Sequence, residues 1–306
     1  MIEMRPTTDN DLPALSALFA DRFGHPLGAE EWLWKYRQIP GEGRSLVAVE
    51  EGEVVAHAGA LRLPARWRGG DAGIWQLVDF AGTTRRGGLR PALVELGRRL
   101  LADLPGRVDA PWIFGFPSER HFRLGQRVFG YRPLTVLTPL GGEIPEGVPG
   151  PLETGDSCGE WAGAVWERCG LLGVRRSAGF LNWRYHARPH RYYRFYRLYE
   201  GDLEGLAVFA FVGEEAWAAE VWLPAPGRWY PAMSAVAADL RASGLRTWRF
   251  WPSPGGRLAS LYQALGLREL EERRFIGCRG RADGGGEAPE AAAAGFHYAM
   301  GDYDLV

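Results

Sequence analysis

The sequence predicts an α/β protein made of two tandem domains, each a central mixed sheet flanked by helices. Three observations carry that expectation. The chain has 306 residues, and at roughly 150 residues per domain this corresponds to two domains, each long enough to bury a core. Stretches of helical and of alternating periodicity follow one another in the same order in both halves. The halves also repeat each other. Trp34-Lys35-Tyr36-Arg37 before Pro40 returns as Trp183-Arg184-Tyr185-His186 before Pro189, and Glu51-Gly52-Glu53 returns at the same offset as Glu200-Gly201-Asp202. Pro91-Ala92-Leu93 then answers Pro231-Ala232-Met233, Trp112-Ile113-Phe114 answers Trp248-Arg249-Phe250, and Phe129-Gly130 answers Leu265-Gly266. The offset shrinks along the chain, as it does when one ancestral domain is written twice and the second copy loses residues.

In the first copy, residues 1–6 read as a strand. Thr8-Asp9-Asn10-Asp11 then supplies the cap of an amphipathic helix whose apolar side is Leu12, Leu15, Leu18 and Phe19. A second helix over 29–38 stops before Pro40. Strands over 45–49 and 54–63 form a hairpin around Glu51-Gly52-Glu53. A further strand covers 73–81, and a long amphipathic helix over 89–104 carries Pro91 in its first turn, where proline is tolerated. Strand 112–116, helix 119–128 and strand 131–137 complete the copy. The second copy repeats this order, with helices near 159–168, 176–186, 230–243 and 256–265. Its strands lie near 192–199, 204–212, 215–223, 247–251 and 268–278. The expected organisation is therefore a first domain over 1–144, a linker over 145–155, a second domain over 156–280, and a final segment over 281–306. In that segment Gly284-Gly285-Gly286 and Ala291–Ala294 read as a flexible tether. The aromatic, acidic stretch after it reads as a tail that docks.

The composition narrows the function. With 36 basic and 37 acidic residues the formal net charge is −1, which argues against a dedicated nucleic-acid binder. No run of apolar residues is long enough to span a membrane, and the first five residues lack the layout of a secretion signal. Cys158, Cys169 and Cys278 are odd in number and lack metal-ligand spacing, so a disulfide framework and a metal site are not expected and a reducing, cytoplasmic location is. Every basic residue is arginine except Lys35.

One stretch carries chemistry: Val78-Asp79-Phe80-Ala81-Gly82-Thr83-Thr84-Arg85-Arg86-Gly87-Gly88-Leu89-Arg90-Pro91. A strand runs into a loop rich in arginine and glycine, and that loop opens a long helix. Consecutive backbone N–H groups in such a loop form a concave anion site, reinforced by the positive end of the helix dipole. Gly87 and Gly88 allow close approach, and Arg85 and Arg86 can pair with phosphate oxygens. The stretch lacks the Gly-Lys-Ser/Thr ending of a P-loop and the glycine spacing of a dinucleotide fingerprint.

This stretch resembles the pyrophosphate loop of the GNAT superfamily of N-acetyltransferases, Arg/Gln-x-x-Gly-x-Gly/Ala after the fourth strand. Arg85 and Gly88 match, while Arg90 stands where the family prefers a small residue. The opening Arg5-Pro6-Thr7-Thr8-Asp9-Asn10-Asp11-Leu12 also looks like that family's first strand and helix. The resemblance is to the tandem-domain type with a degenerate second copy: Ala225-Pro226-Gly227-Arg228-Trp229-Tyr230 stands where the loop would be, and there bulky aromatics replace the small residues.

The resemblance implies an acyltransferase with acetyl-CoA or another acyl-CoA as co-substrate. Val78, Phe80 and Ala81 would line the pantetheine, Arg85, Arg86, Gly87, Gly88, Leu89 and Arg90 would hold the pyrophosphate, and Ser118, at the start of the next helix, would join them. An amide at Phe80 or Ala81 would stabilise the oxyanion. The family's usual acid, a tyrosine four residues before the glycine that ends the last helix, is Gln126 in the first copy and Tyr262 in the second. The candidates for acid–base work are therefore Asp79, His121, and Tyr298 and Asp302 of the tail. The expected acceptor is an amine of a small molecule or peptide, with neither membrane nor nucleic acid as partner and a homodimer left open. Two competing expectations are a non-catalytic CoA-binding or interaction protein on a GNAT scaffold, and a peptidoglycan-bridge-type aminoacyltransferase.

Overall fold

The structure is a computed structural model, and it describes residues 2–67, 69–83, 91–104, 109–225, 227–252, 254–280 and 296–303. The chain divides into two compact units, Met1–Leu134 with Phe275–Pro289, and Thr135–Arg274 with Glu290–Val306. Its first elements in chain order are β1 (Ile2–Pro6), α1 (Leu12–Phe23), α2 (Ala29–Tyr36), β2 (Glu42–Glu50), β3 (Glu53–Trp67), β4 (Gly70–Gly82), α3 (Pro91–Asp103), β5 (Asp109–Gly115), α4 (Glu119–Val128) and β6 (Arg132–Leu137). They continue with β7 (Leu140–Glu143), β8 (Leu152–Gly155), α5 (Trp161–Cys169), β9 (Leu172–Val174), α6 (Ala178–Leu181), β10 (Tyr193–Glu200), β11 (Leu203–Val212), β12 (Glu215–Trp222) and α7 (Tyr230–Ala242). The last are β13 (Thr247–Phe250), α8 (Ala259–Ala264), β14 (Arg268–Glu269), β15 (Arg274–Gly280) and β16 (Phe296–His297).

Local chemistry accounts for the entry into the first unit. The Asp11 carboxylate accepts from the Thr8 amide at 2.8 Å and from Arg5 Nη1 at 2.7 Å, so the acidic cap signal closes a single 3-10 turn, Asp9–Asp11, ahead of α1. The bond to Arg5, helped by those to Thr8, brings the Asp11 carboxyl down to about 2. Gly24 ends α1 in the left-handed conformation at φ 79°. Glu51 and Gly52, both at positive φ, turn β2 into β3 as a tight hairpin.

The two sheets have the same design. The first runs β1-β2-β3-β4-β5-β15-β6 and the second β14-β7-β13-β12-β11-β10-β8. In each, a parallel pair stands among antiparallel neighbours: β4 with β5, and β12 with β13. Beside β5 lies β15, encoded near the end of the chain; beside β13 lies β7, encoded just after the first copy. The units have therefore exchanged a strand. This is why the observed division falls at Leu134 and Thr135 rather than at 144–156. The stretch 145–155 also holds β8, which pairs with β10. Helix α3 lays Ala92, Leu96, Leu100 and Leu101 onto Ala56, Ala58, Ala60, Trp75 and Ile113 to form the first core. The second core joins Met233, Val236 and Leu240 of α7 to Phe209, Trp248 and Phe250.

Three expected elements come out differently. The helix over 176–186 is α6 followed by a π-helical turn, Asn182–His186, which re-aims Trp183, Arg184 and Tyr185 into the unit. The helix over 256–265 is a 3-10 turn and then α8, because Gly255 and Gly256 take positive φ. The strand over 268–278 is broken into β14 and β15, which serve different sheets.

Candidate active site

The site of interest is built on β4 in the first unit. Parallel pairing with β5 runs to Leu77–Gly115 and stops there, where β5 ends. On its other side β4 stays paired with β3 to Gly82. Among the described residues, 78–82 therefore present an edge of main-chain groups with no strand beside it on the β5 side. An extended ligand carrying amides can add to such an edge as a strand does.

That same stretch carries a bulge. His57 of β3 faces Ala81 and Gly59 faces Val78, so β4 has one residue too many around Asp79 and Phe80. Asp79 takes φ 57°, a conformation that surrounding contacts must hold in a residue other than glycine. Those contacts come from α2. Lys35 Nζ donates to both Asp79 oxygens at 3.0 and 3.1 Å, and Tyr36 Oη donates to Oδ2 at 2.7 Å. Lys35 and Asp79 side chains are only 4% and 8% exposed. Burial alone would raise the Asp79 carboxyl; the Lys35 charge, with His57 and Tyr36, holds it below its ordinary value. Gly59 lets Tyr36 reach the carboxylate, since a β-carbon there would overlap the Tyr36 hydroxyl.

Behind the carboxylate lies a second chain of hydrogen bonds. His57 Nδ1 is 2.8 Å from the Asp79 carbonyl oxygen and its Nε2 is 2.8 Å from Ser45 Oγ. A carbonyl can only accept, so Nδ1 bears the proton and Nε2 accepts from Ser45. Ser45 Oγ in turn bonds Thr7 Oγ1 at 2.7 Å and accepts from Trp32 Nε1 at 3.4 Å. Burial pushes His57 below its usual value, in keeping with a neutral ring.

On the opposite face Phe80 meets His121 edge-on at 5.3 Å and Phe129 at 6.0 Å, while His121 stacks on Tyr131. Burial lowers His121 to about 4. Ser118 caps α4, its hydroxyl accepting from the His121 amide at 3.3 Å. The predicted pyrophosphate residues Arg85, Arg86, Gly87, Gly88, Leu89 and Arg90 lie outside the described residues.

The second unit repeats the bulge and its clamp. Val208 faces Glu220 and Phe209 faces Ala218, so β12 has its extra residue next to Glu220. The buried Glu220 accepts from Tyr185 Oη at 2.7 Å, Arg176 Nε at 2.8 Å and Trp222 Nε1 at 2.9 Å. Tyr185 is the sequence repeat of Tyr36, so the duplicated aromatic motif brings a hydroxyl to the carboxylate in both copies. The tail is what differs. Phe296 and His297 pair in parallel with Leu172 and Gly173 of β9, and Asp302 meets Arg176 Nη2 at 2.6 and 2.7 Å. Trp229, completely buried, fills the start of α7 and donates to the Pro224 carbonyl at 2.6 Å.

Asp79 and His121 thus belong to the first unit, Tyr298 and Asp302 to the second. Strand alternation turns Asp79 away from the face of Phe80, and there α2 receives it. Burial raises the Tyr298 hydroxyl, opposed by a bond to Thr135. Asp302 is committed to Arg176 and to the Ala299 amide at 2.9 Å. Tyr262 is buried against Phe250, at 5.2 Å between rings. Sequence reasoning passed over Lys35, His57 and Ser45. The signal for Lys35 was available: a chain that writes all its other cations as arginine keeps one lysine, where a compact ammonium is needed.

Two mixed sheets that share one seven-strand order, the first also carrying β9 and β16 off that path, each flanked by helices and each bulged on its fourth strand, define a duplicated α/β fold. No protein-family profile and no curated protein sequence matches the chain, but solved structures do. It is similar to a GCN5-related N-acetyltransferase from Anabaena variabilis, with TM-score 0.66 and 12% identity over 91% of this chain and 72% of that one. It is also similar to a GCN5-related N-acetyltransferase from Kribbella flavida, with TM-score 0.62 and 15% identity over 96% and 72%. A tandem GNAT protein from the clavulanic acid biosynthesis pathway matches with TM-score 0.61 and 14% identity over 92% of this chain and all, 100%, of that one. The fold is that of the tandem GNAT proteins.

Proposed function

We propose that the chain is an acyl-CoA-dependent N-acyltransferase whose first unit takes the thioester and whose second unit has lost that capacity. The observation that carries this reading is the edge of β4 over residues 78–82, which no strand among the described residues covers on the β5 side once parallel pairing ends at Leu77–Gly115. The pantetheine amides would add to that edge, and the loop through Arg85 and Gly88 would take the pyrophosphate ahead of α3. The amine nitrogen attacks the thioester carbonyl, forming the C–N bond and a tetrahedral oxyanion. That oxyanion collapses with cleavage of the C–S bond, and the proton given up by the nitrogen passes through solvent to the departing thiolate, which leaves as the thiol. A backbone amide at the bulge supplies the oxyanion donor. Buried Trp229 at the start of α7 supports the loss of the phosphate site in the second unit.

One observation favours a CoA-binding protein without turnover: Asp79, the carboxylate on the strand that would take the thioester, is already paired with Lys35. Two measurements separate the readings. Calorimetric titration with acetyl-CoA tests binding, and thiol release from acetyl-CoA across a panel of amines tests transfer. Absence of binding at millimolar acetyl-CoA overturns both. Binding with no thiol release from any amine of the panel leaves the second.

A further inference from the structure

The peptide joining Asp79 to Phe80 is pinned from one side. Its carbonyl accepts from His57 Nδ1 at 2.8 Å, and its orientation is held again through the Asp79 side chain by Lys35 and Tyr36. In a trans peptide the C=O and N–H point in opposite directions. Fixing the Asp79 carbonyl toward His57 therefore turns the Phe80 N–H away from His57. Asp79 holds this peptide from within the bulge, at φ 57°.

We infer that His57, oriented by Ser45, is a positioning residue that holds the 79–80 peptide so that the Phe80 N–H meets the acyl carbonyl of the bound thioester. The inference rests on the acyl-CoA reading above. The imidazole has no route to act as a base here. It is completely buried, its Nδ1 proton is engaged by a carbonyl, and its Nε2 lone pair by the Ser45 hydroxyl. The role of Ser45 is to choose the tautomer: by donating to Nε2 it leaves the proton on Nδ1, where the Asp79 carbonyl needs it. Thr7 and Trp32 then fix the Ser45 hydroxyl. The device is a relay of orientation from α2 and β2 to one backbone donor, and it moves no proton.

The test reads the thioester itself and needs no acceptor. Acetyl-CoA labelled with carbon-13 at the carbonyl is titrated into the full-length protein and observed by NMR, with the dissociation constant measured alongside. A hydrogen bond to the carbonyl moves its resonance downfield. The wild type is expected to show that shift. His57→Leu should lose it while the dissociation constant changes by less than about threefold, since His57 is completely buried with both ring nitrogens engaged within the protein. His57→Asn should keep it, because the side-chain amide nitrogen of Asn stands close to the position of Nδ1. Ser45→Ala, a smaller change that spares the histidine, should lose part of it, and it decides the matter if His57→Leu does not fold. A full downfield shift retained in folded His57→Leu or Ser45→Ala overturns the positioning role and leaves acyl-CoA binding intact. A bound wild type with no shift also overturns it. Failure of the wild type to bind acetyl-CoA removes the acyl-CoA reading and this inference together.

Discussion

Lys35 Nζ lies 3.0 Å from Asp79 Oδ1, and this buried ammonium belongs to the only lysine in the sequence. Removing one partner of a buried ion pair leaves the other uncompensated, which costs about 3–5 kcal/mol. Lys35→Met is therefore expected to destabilise the protein by about that amount in urea unfolding. Adding Asp79→Asn should recover a large part, since the amide still accepts from Tyr36 and asparagine tolerates positive φ. A second readout is chemical: an amine-reactive reagent should leave Lys35 unlabelled in the native protein and modify it once urea unfolds the chain.

Acid should weaken the first unit through its histidines. Burial lowers His121 from 6.5 to about 4. Between those values the unfolded chain holds a proton on this residue that the folded chain does not, so stability falls as pH drops from 6.5 toward 4. His57, also lowered by burial, acts in the same direction below 6.5. Asp79 has a depressed carboxyl; its contribution is fully present above its unfolded value and is lost only as pH falls further, through the folded one. His121→Phe keeps an aromatic ring beside Phe80 and Tyr131 and should flatten the decline between pH 6.5 and 4 in urea melts. An unchanged slope would sink this assignment.

Much of this architecture was legible because the repeat constrains it twice. Trp34-Lys35-Tyr36 and Trp183-Arg184-Tyr185 were matched as letters, and the structure gives the match a physical content: Tyr36 and Tyr185 each donate to a carboxylate on a strand bulge. The bulges were not legible. An extra residue in a strand leaves alternation intact on both sides of it, so periodicity turned Asp79 away from Phe80 without showing the clamp from α2 that receives it. The strand exchange was equally hidden, because the pattern of residues 268–278 says strand without saying which sheet it joins. The tail signalled docking through its aromatics, yet nothing in its composition could name Arg176 as the partner of Asp302.

The thiol-release assay should run with little background from the protein. Burial pushes the Cys169 thiol up to about 11 and the Cys158 thiol up to about 12, so neither is appreciably thiolate at neutral pH, and Cys278 is buried. Native protein mixed with a disulfide reagent is expected to react slowly at all three positions and to release the full complement only in denaturant.

Arg85 and Arg86 carry the sequence argument for the phosphate loop, and each is expected to donate to a phosphate oxygen. A hydrogen bond to a charged group is worth about 1.5–3 kcal/mol, so Arg85→Ala should weaken acetyl-CoA binding by roughly 10-fold or more. The loss should shrink as salt is raised. S-acetylpantetheine, which lacks the pyrophosphate, should bind wild type and variant alike. An Arg85→Ala protein that binds acetyl-CoA as tightly as wild type at low salt would remove this residue from the site.

The tail is bound by its main chain as much as by its charge. Arg184 Nε donates to the Gly301 carbonyl at 2.7 Å and its Nη2 to the Tyr303 carbonyl at 3.2 Å, while Arg176 links Asp302 to Glu220. Gly301 sits where a β-carbon would overlap the Tyr185 hydroxyl, the same hydroxyl that holds Glu220 on the bulge. Two substitutions therefore attack one seat by different means. Asp302→Asn keeps the shape and removes the charge facing Arg176, whereas Gly301→Ala keeps the charge and forces the tail and Tyr185 apart. Both should expose the segment 296–303 to proteolysis and lower the stability of the second unit, with Asp302→Asn costing about 1.5–3 kcal/mol as the loss of a charge-assisted hydrogen bond, because Arg176 keeps Glu220 as its counterion. Neither should change acetyl-CoA affinity, because every partner named here lies in the second unit. If instead the tail supplies acid–base groups to the transfer reaction, Asp302→Asn will lower turnover in the thiol-release assay at temperatures where the variant remains folded. The ratio of that loss to the loss of stability decides between a structural strap and a catalytic one.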